Sequence, residues 1–379
     1  MTGTGVDGAD DLGGLLDPDE AYFIAEAGVN HDGDVEQARA LVDAAADAGA
    51  DAVKFQTFAA DRLVSPDAPK AAYQEETDDA DSQYEMLRRL ELPRAAHGEL
   101  RDYCAERGIQ FLSTPFDPES ADFLDGLGLP AIKLGSGELD NRPLLGHVAG
   151  LGRPMIVSTG MGTLDEIETA LDTIREAGEP PVALLHCTSA YPSPLDEVNL
   201  RAMGTMDDAF DVPVGYSDHT TAVETPAFAV AAGARIVEKH FTLDTSLPGP
   251  DHEASLEPDE LERAVSLVRD ASTALGRAEK EPTPTEISNR DVIRKSLHTT
   301  ADVRAGERFT ESNVAVVRPA DGLPPGAFES VLGARAATDL NAGAAIVAEA
   351  VAGVEGDDAT AGVGSRGDGI DDTIGRDDS

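Results

Sequence analysis

Lysine, tryptophan and cysteine are scarce in this chain of 379 residues, which contains six lysines, no tryptophan and two cysteines. Long apolar runs are missing too: no stretch of eighteen apolar residues occurs, so the sequence predicts no membrane-spanning helix and no membrane partner. The acidic, Gly-rich N-terminus differs from a signal peptide. With only Cys104 and Cys187 present, we expect two buried, reduced thiols in a cytoplasmic protein.

Positive charge is also scarce, because 72 Asp and Glu residues face 29 Lys and Arg residues and the formal charge is −43. Nucleic acid is therefore an unsuitable partner, since a phosphate backbone requires a basic face. The acidic residues are spread along the whole chain. Such a surface suits a cytoplasm rich in salt, where screening weakens self-repulsion. We interpret the composition as halophilic, and an ordinary acidic protein is the alternative.

Short apolar runs separated by helical patterns are what the chain does contain. Apolar residues at three-and-four spacing mark helices such as "VEQARALVDAAADAGA". Eight strand–helix units in about 260 residues predict an α/β protein built on a (β/α)8 TIM barrel. A doubly wound sheet is the alternative, but "EAGVNHDG" after the first run is not its G-x-G-x-x-G fingerprint. The runs lie at 21–28, 51–58, 109–116, 131–138, 154–161, 182–189, 212–219 and 234–241.

A second, smaller domain follows the barrel and contains a repeat. "ADVRAGERFTESNV" (301–314) aligns with "TDLNAGAAIVAEAV" (338–351), so we expect a compact β-rich module with pseudo-symmetric halves. "EKEPTPTEISNR" has the Pro-rich, charged composition of a linker, and the Gly- and Asp-rich C-terminus is typical of disorder. The predicted organisation is a disordered acidic N-terminus (1–18), the barrel (19–278), a linker (279–292), the small domain (293–352) and a disordered acidic tail (353–379).

Polar and ionisable side chains follow the predicted strands, at the ends that form the active face of a (β/α)8 barrel. Lys54 and Lys133 lie at two such ends, in a chain that otherwise avoids lysine. Ser and Thr hydroxyls accompany them, and "STGMGT" offers backbone N–H groups in a Gly-rich turn. Together these groups predict an oxyanion or phosphate site. An ordinary barrel ion pair is the alternative for Lys54.

Two histidines, His219 and His240, end neighbouring predicted strands and can face each other. Two imidazoles suit Mn²⁺, Zn²⁺, Fe²⁺ or Co²⁺ better than Mg²⁺. Alternation along "EKH" puts Glu238 and His240 on one face and turns Lys239 away from it. A purely structural role is the alternative for each histidine.

The ordered motifs resemble those of the sialic acid synthases, and the small domain resembles the antifreeze-like (SAF) module of that family. The resemblance runs from about Tyr22 to about Val351. It implies condensation of phosphoenolpyruvate with an N-acetylated amino sugar, N-acetylmannosamine or a relative, to a nonulosonic acid with release of phosphate. It also implies a divalent metal, typically Mn²⁺, with Mg²⁺ or Co²⁺ possible. The matching motifs are "IAEAGVNHDG", "DAVKFQT", "STPFD", "IKLGSGEL", "STGM", "HCTSAYP", "GYSDHT", "EKHFT", "GPDH", "RKSL" and "VVRPADGLPP".

The resemblance implies a role for each matching position, with His219 and His240 as metal ligands. Glu26 or Glu138 would position the attacking water or move its proton, and which one does so stays open. Arg318 resembles an arginine that the SAF domain of one subunit inserts into the other subunit's barrel, which implies a domain-swapped homodimer. The implied phosphoenolpyruvate contacts, of which the two lysines are also catalytic candidates, are Lys54, Thr114, Lys133, Ser136, Ser158, Ser189 and Ser217. The implied sugar contacts are Gln56, Tyr191, Asp251 and Arg318.

Ser189 stands where some family members carry Asn, so one hydrogen bond there differs.

Other functions stay open beside the condensation that forms a sialic acid. A legionaminic or pseudaminic acid synthase would use a different sugar on the same scaffold. A non-catalytic sugar-binding protein is suggested by the antifreeze-like module, and a phosphoenolpyruvate-dependent synthase of aromatic biosynthesis would share the barrel.

Overall fold

Parallel strands alternate with helices through the N-terminal part of the chain. The computed structural model describes residues 12–17, 19–70 and 80–353, and the chain divides into two compact units, Met1–Gly276 and Arg277–Ser379. Each strand of the first unit falls inside one of the predicted apolar runs. The strands are β1 (Tyr22–Gly28), β2 (Ala52–Thr57), β3 (Gln110–Pro115), β4 (Ile132–Leu134), β5 (Met155–Ser158), β6 (Val182–Cys187), β7 (Val214–Asp218) and β8 (Ile236–His240).

The eight strands form one parallel sheet in the order β3-β2-β1-β8-β7-β6-β5-β4. The two strands at the ends of this order, β3 and β4, lie against each other. The sheet therefore curls into a near-closed barrel, which confirms the predicted (β/α)8 architecture. All eight carboxyl ends consequently meet at one rim.

Helices cover the outside of the barrel with their apolar faces. In the helix Leu164–Ala177, for example, the buried residues recur at three-and-four spacing and the Thr163 hydroxyl accepts from the Glu166 N–H as an N-cap. Among the described residues, no helix is both long enough and apolar enough to cross a membrane. The helices of this unit are α1 (Val35–Asp47), α2 (Ala60–Leu63), α3 (Gln83–Leu90), α4 (Arg94–Arg107), α5 (Pro118–Leu127), α6 (Arg142–Gly150), α7 (Leu164–Ala177), α8 (Arg201–Ala209), α9 (Thr225–Ala231) and α10 (Pro258–Leu275).

Residues 12–17 plug the amino end of the barrel. Leu12 is fully buried and Leu16 is 5% exposed, and both pack with inward-facing residues such as Ile24, Ile156 and Ile236. The prediction of a disordered N-terminus over 1–18 is therefore wrong for residues 12–17, because the barrel interior offers these leucines an apolar partner. Residues 1–11 and Pro18 lie outside the described residues.

The second unit begins with a helix where the sequence predicts a linker. Helix α11 (Pro284–Ile293) starts at a capping box, in which the Thr283 N–H donates to the Glu286 carboxylate and the Glu286 N–H donates to the Thr283 hydroxyl. The predicted linker over 279–292 is therefore helical from Pro284 onward, and its role as a linker stays a prediction. Thr283 is the N-cap of this helix and Pro284 is its first residue, so the Pro and Thr residues of the segment mark the start of a helix. The predicted tail lies, apart from Gly353, outside the described residues.

The remainder of the second unit has the pseudo-symmetry that the repeat predicts. Strands β9 (Ser296–Thr299) and β10 (Val314–Val317) pair antiparallel, and a short helix α12 spans Phe328–Val331. Equivalent residues of the two repeats exchange reciprocal bonds: the Ala305 N–H donates to Asp339 Oδ1 at 2.7 Å, and the Ala342 N–H donates to Asp302 Oδ1 at 2.9 Å. The two copies of the repeat are thus joined by equivalent hydrogen bonds in both directions.

Candidate active site

A polar cavity of about 300 Å³ lies where the carboxyl ends of the barrel strands converge. The structure brings most of the predicted site residues to its wall, from all eight strands and the loops that follow them. Glu138 and Arg318 are the exceptions. The predicted residues that line the cavity are Glu26, Lys54, Gln56, Thr114, Lys133, Ser136, Ser158, Ser189, Tyr191, Ser217, His219, His240 and Asp251.

Lys54 and Lys133 place two buried ammonium groups in the cavity wall. The Lys54 ammonium donates to Thr114 Oγ1 at 3.1 Å and lies 2.8 Å from Glu26 Oε2. The Lys133 ammonium donates to Ser158 Oγ at 2.7 Å. Each lysine therefore comes with a hydroxyl from the neighbouring strand, an arrangement suited to the oxyanion or phosphate site that the sequence predicts.

Glu238, which the predicted site set omitted, lies between the two ammonium groups. Its Oε2 is 3.6 Å from Lys54 Nζ, its Oε1 is 3.5 Å from Lys133 Nζ, and Oε1 accepts from Ser217 Oγ at 3.0 Å. The alternation along "EKH" already put this carboxylate on the same face as His240. That signal was available, but the charge pairing across the barrel was not visible in the sequence.

The buried charges shift one another's pKa values. Burial raises the pKa of Glu26 to about 7, with Lys54 opposing the shift. Burial also acts to raise the pKa of Glu238, but Lys133 and Lys54 outweigh it and the pKa falls to about 2. Burial lowers the pKa of Lys133, whereas for Lys54 the two carboxylates outweigh burial and the pKa is raised. Glu238 is thus the permanent counter-charge, and Glu26 can exchange a proton near neutral pH.

Gly160, in the "STGM" turn after β5, sits among three polar side chains. Its N–H donates to Ser136 Oγ at 3.0 Å, and Ser136 Oγ lies 3.0 Å from Cys187 Sγ. A Cβ atom at this position would lie 2.4 Å from Ser189 Oγ, 2.7 Å from Cys187 Sγ and 2.8 Å from Ser136 Oγ. Only glycine leaves room for this cradle of hydroxyl, thiol and amide groups beside the ammonium groups.

Three predicted polar groups converge around Gly28, at the end of β1. A Cβ built on Gly28 would lie 3.5 Å from Asp251 Oδ2, Gln56 Nε2 and Glu26 Oε1 alike. Burial raises the pKa of Asp251 to about 6. The absence of a side chain at Gly28 therefore leaves free the space between the side chains of Asp251, Gln56 and Glu26.

His219 and His240 face each other as the sequence predicts, with ring centroids 5.5 Å apart. The ring of Tyr191 lies 4.2 Å from that of His219. His219 Nδ1 is 2.7 Å from the Thr188 carbonyl oxygen, so Nδ1 carries the proton and Nε2 keeps its lone pair. Burial lowers the pKa of His219 and lowers that of His240 well below its usual value, so both rings are neutral at pH 7.

The histidine pair fits a divalent cation as a set of two ligands. His219 Nε2 has only a long contact of 3.4 Å, to Ser217 Oγ, and the buried Nδ1 of His240 has no hydrogen-bond partner within the described part of the chain. Neutral imidazole is the ligand form that transition metals take. No group of three or more His, Cys, Asp or Glu side chains is arranged for a metal ion in residues 12–17, 19–70 and 80–353.

Glu138 and Arg318 are the predicted residues that the structure does not bring to this wall. Glu138 is half-buried in a 3-10 turn, and its carboxylate accepts from Asn141 Nδ2 at 2.6 Å. Glu138 therefore does not line the cavity, and a catalytic role for it stays a prediction. Arg318 belongs to the second unit, where it is exposed and its Nε donates to the Ile293 carbonyl oxygen at 2.6 Å.

Comparison with known proteins finds related chains over both units. The model of the NeuB family matches residues 41–280, and that of the SAF domain matches residues 294–352. An N,N'-diacetyllegionaminic acid synthase of Legionella pneumophila is 44% identical over 333 residues, which is 86% of this chain and 94% of that protein. An enzyme of the same name from Campylobacter jejuni is 47% identical over 317 residues, which is 83% of this chain and 95% of that enzyme.

Among solved structures, the N-acetylneuraminic acid (sialic acid) synthetase of Leptospira borgpetersenii superimposes with a TM-score of 0.64 at 34% identity. The match covers 71% of this chain and 90% of that one. The similarity therefore extends beyond single motifs to the barrel as a whole.

Proposed function

The chain belongs to the NeuB family, and from that premise we propose that it condenses phosphoenolpyruvate with an N-acetylated amino sugar to a nonulosonic acid, with release of phosphate. Its relatives are synthases of this type, so the chain is an enzyme, and the alternative of a non-catalytic sugar-binding protein is wrong. The observation that carries the proposal is the cavity that joins two buried ammonium groups to a pair of facing imidazoles.

Phosphoenolpyruvate fits the ammonium side of the cavity by charge. Its carboxylate and phosphate are anions, and Lys54 and Lys133 with the Thr114 and Ser158 hydroxyls offer buried donors for both. Charge-assisted hydrogen bonds of this kind are the strong ones, and burial strengthens them further. The hydroxyls of Ser136, Ser189 and Ser217 lie along the same wall, and the Gly160 N–H holds the Ser136 hydroxyl.

The reaction forms one carbon–carbon bond and one carbon–oxygen bond to water, and it breaks the carbon–oxygen bond to the phosphate. C3 of phosphoenolpyruvate attacks the aldehyde carbon of the open-chain sugar, whose oxygen takes up a proton and becomes a hydroxyl. Water adds at C2, and the phosphate leaves with its bridging oxygen. We propose that Glu26 positions this water and takes its proton, because Glu26 lines the cavity and its pKa is about 7. Glu238 has the lower pKa of the two buried carboxylates and keeps the lysines in place.

We propose that His219 and His240 hold the divalent cation, Mn²⁺ before Mg²⁺ or Co²⁺. When bound, such a cation supplies Lewis-acid polarisation of a carbonyl oxygen. The chain's own contribution is the orientation of the two rings, which Tyr191 and the Thr188 carbonyl restrain. Gln56 and Asp251, across the cavity, are the proposed sugar contacts.

A sugar with two acetamido groups is a specific candidate beside N-acetylmannosamine. The two relatives described above are named N,N'-diacetyllegionaminic acid synthases. The cavity also has an apolar side, formed by Val29, Phe116 and three residues of α3, and acetamido methyl groups can pack there. The apolar residues of α3 that line the cavity are Met86, Leu87 and Leu90.

The remaining expectations about the whole molecule stay proposals. We propose a domain-swapped homodimer in which Arg318 serves the partner's site, and a cytoplasmic setting in which Cys104 and Cys187 stay as the free, buried thiols seen here. The acidic composition supports a halophilic setting.

Phosphate release tests the proposed reaction directly. Purified protein in high salt is mixed with phosphoenolpyruvate and Mn²⁺, and phosphate is followed with N-acetylmannosamine or with a hexosamine that carries two acetamido groups. We expect release with one of these sugars, no release without sugar, and none from a Lys54→Met variant. If neither sugar yields phosphate from the folded wild-type protein, the proposed synthase function is wrong.

A further inference from the structure

Lys239 and Asp218 form an ion pair that is completely shielded from solvent, beside the two histidines but outside the cavity. Both side chains are 0% exposed, and Lys239 Nζ lies 2.8 Å from Asp218 Oδ2. Asp218 and Lys239 are partners in the β7–β8 ladder, and each immediately precedes one of the facing histidines, His219 and His240. Alternation along the strands turns this pair away from the cavity while the histidines turn into it.

The same ammonium group binds the chain on both sides of His219. Lys239 Nζ donates to Asp218 Oδ2 before the histidine and to the Thr220 carbonyl oxygen after it. Asp218 is fixed in turn, because its Oδ1 accepts from the Thr220 N–H at 2.9 Å and lies 3.3 Å from the buried Tyr216 hydroxyl. One side chain of β8, directly before His240, thus restrains the backbone that carries His219.

General stability is a weak explanation for this pair. Removing two charges from water costs several kcal/mol per ion, and apolar residues of similar volume often stabilise a core equally well or better. Lysine is also scarce in this chain, where only six occur. A buried charge pair does, however, hold a more defined geometry than apolar contacts, which suits a device that sets the distance between two ligands.

We propose that Lys239 and Asp218 form a positioning clamp that sets the separation and orientation of His219 and His240 for a divalent cation. The clamp rests on the proposed metal site, and it contacts neither substrate nor metal. Lys239 and Asp218 are therefore positioning residues, and their removal should weaken metal binding before it affects the ammonium side of the cavity.

The test measures Mn²⁺ affinity without substrate, from the electron paramagnetic resonance signal of free Mn²⁺. Because Lys239→Met alone leaves the Asp218 carboxylate buried and unpaired, the decisive variant is Asp218→Asn/Lys239→Met, which removes both charges. We expect Mn²⁺ binding to weaken by about 10- to 100-fold, the range found when partners of metal ligands are lost. Calorimetry of phosphoenolpyruvate binding without metal should stay within about twofold of wild type, because Lys54 and Lys133 lie outside the clamp.

The control is the partly exposed ion pair of Arg269 with Asp51, at the opposite end of the barrel. Arg269 Nη2 lies 2.8 Å from Asp51 Oδ2, and Nη1 donates to the Ala21 carbonyl oxygen just before β1. Asp51→Asn/Arg269→Met should leave Mn²⁺ affinity within about twofold of wild type, because this pair lies at the amino ends of the strands and the histidines lie at the carboxyl ends.

Three results would overturn the clamp. Unchanged Mn²⁺ affinity in the Asp218→Asn/Lys239→Met protein overturns the clamp alone and leaves the metal site standing. Loss of Mn²⁺ and phosphoenolpyruvate binding together shows that the pair supports the whole cavity and has no selective role in positioning. A wild-type protein that binds no Mn²⁺ overturns the proposed metal site, and the clamp falls with it.

Discussion

Glu26 and Glu238 are both buried carboxylates beside Lys54, yet their pKa values move in opposite directions. Glu238 lies between two ammonium groups and accepts from the Ser217 hydroxyl, so its charged form is favoured. Glu26 is close to Lys54 alone, and burial prevails. Two residues of one type thus obtain different chemical properties from their surroundings, and only Glu26 is suited to proton transfer near neutral pH.

Glu26→Gln should lower kcat by about 10²- to 10⁴-fold, the range for loss of a general base. In the wild type, Glu26 is mainly protonated below its pKa of about 7 and mainly ionised above it, so kcat/KM should rise with pH through that value. The Gln variant should lack this rise. Steady-state phosphate release between pH 5.5 and 8.5 measures both effects.

The matched comparison for that experiment is Glu138→Gln. Glu138 bonds to Asn141 outside the cavity wall, so its substitution should cost much less than Glu26→Gln and keep the wild-type pH profile. A larger loss in the Glu138 variant would reassign the base.

Gly160→Ala should raise KM for phosphoenolpyruvate by about tenfold or more, because a misplacement of even 1 Å near the reacting groups is costly. The added Cβ would meet the Ser189, Cys187 and Ser136 side chains at 2.8 Å or less. The control is Gly126→Ala in α5, where no atom lies within 4 Å of the new Cβ. Equal kinetics for both variants would show that the cradle does not bind substrate.

At the scale of elements, two segments whose composition predicts a disordered terminus and a linker are structured, each for a different reason. Residues 12–17 have the Gly-rich, acidic surroundings of a disordered terminus, but Leu12 and Leu16 are buried in the barrel. Helix α11 begins in a Pro- and Thr-rich stretch that is typical of linkers. In the first case a distant apolar surface decided the outcome, and in the second a local capping box did.

Leu12→Ala should destabilise the barrel by about 2–5 kcal/mol, since a buried leucine leaves a cavity when it is truncated. Denaturant unfolding followed by circular dichroism measures the change in the free energy of unfolding. Leu195→Ala is the control, because Leu195 is 62% exposed and should change it by no more than about 0.5 kcal/mol. If both variants unfold alike, the N-terminal plug contributes nothing to barrel stability.

At the scale of the whole molecule, the proposed dimer makes each active site depend on two chains. Arg318→Ala and His219→Asn should each have low activity as separate proteins. When they are unfolded and refolded together at equal amounts, half of the dimers are mixed, and about a quarter of the wild-type activity should return. Recovery requires that Arg318 acts across subunits. If the mixture stays as inactive as its components, Arg318 does not act across subunits.

The net charge of −43 predicts that folding depends on salt. Raising KCl from about 0.1 M to about 1 M shortens the screening length from about 10 Å to about 3 Å and weakens repulsion among the acidic residues. The melting temperature should therefore rise over this range, and equal concentrations of choline chloride should have a similar effect. A melting temperature that falls with both salts would contradict the halophilic interpretation.

The sequence alone determined the eight strands, their order around the barrel rim and the two facing histidines. These features follow from local signals: apolar runs of strand length, helical spacing between them, and polar residues directly after each run. The repeat in the second unit was equally readable, and its equivalent aspartates, Asp302 and Asp339, form reciprocal hydrogen bonds in the structure.

Only the tertiary structure decided which groups act on each other across the barrel. Glu238 lies between two lysines, and Glu138 lies outside the cavity wall. Leu12 packs against apolar residues of the barrel interior. Each of these outcomes depends on residues far away in the chain. Lys239 illustrates both what the sequence determines and what the tertiary structure decides. Two-residue alternation predicted that it turns away from the cavity, but its pairing with Asp218 and Thr220 exists only because strands β7 and β8 are neighbours.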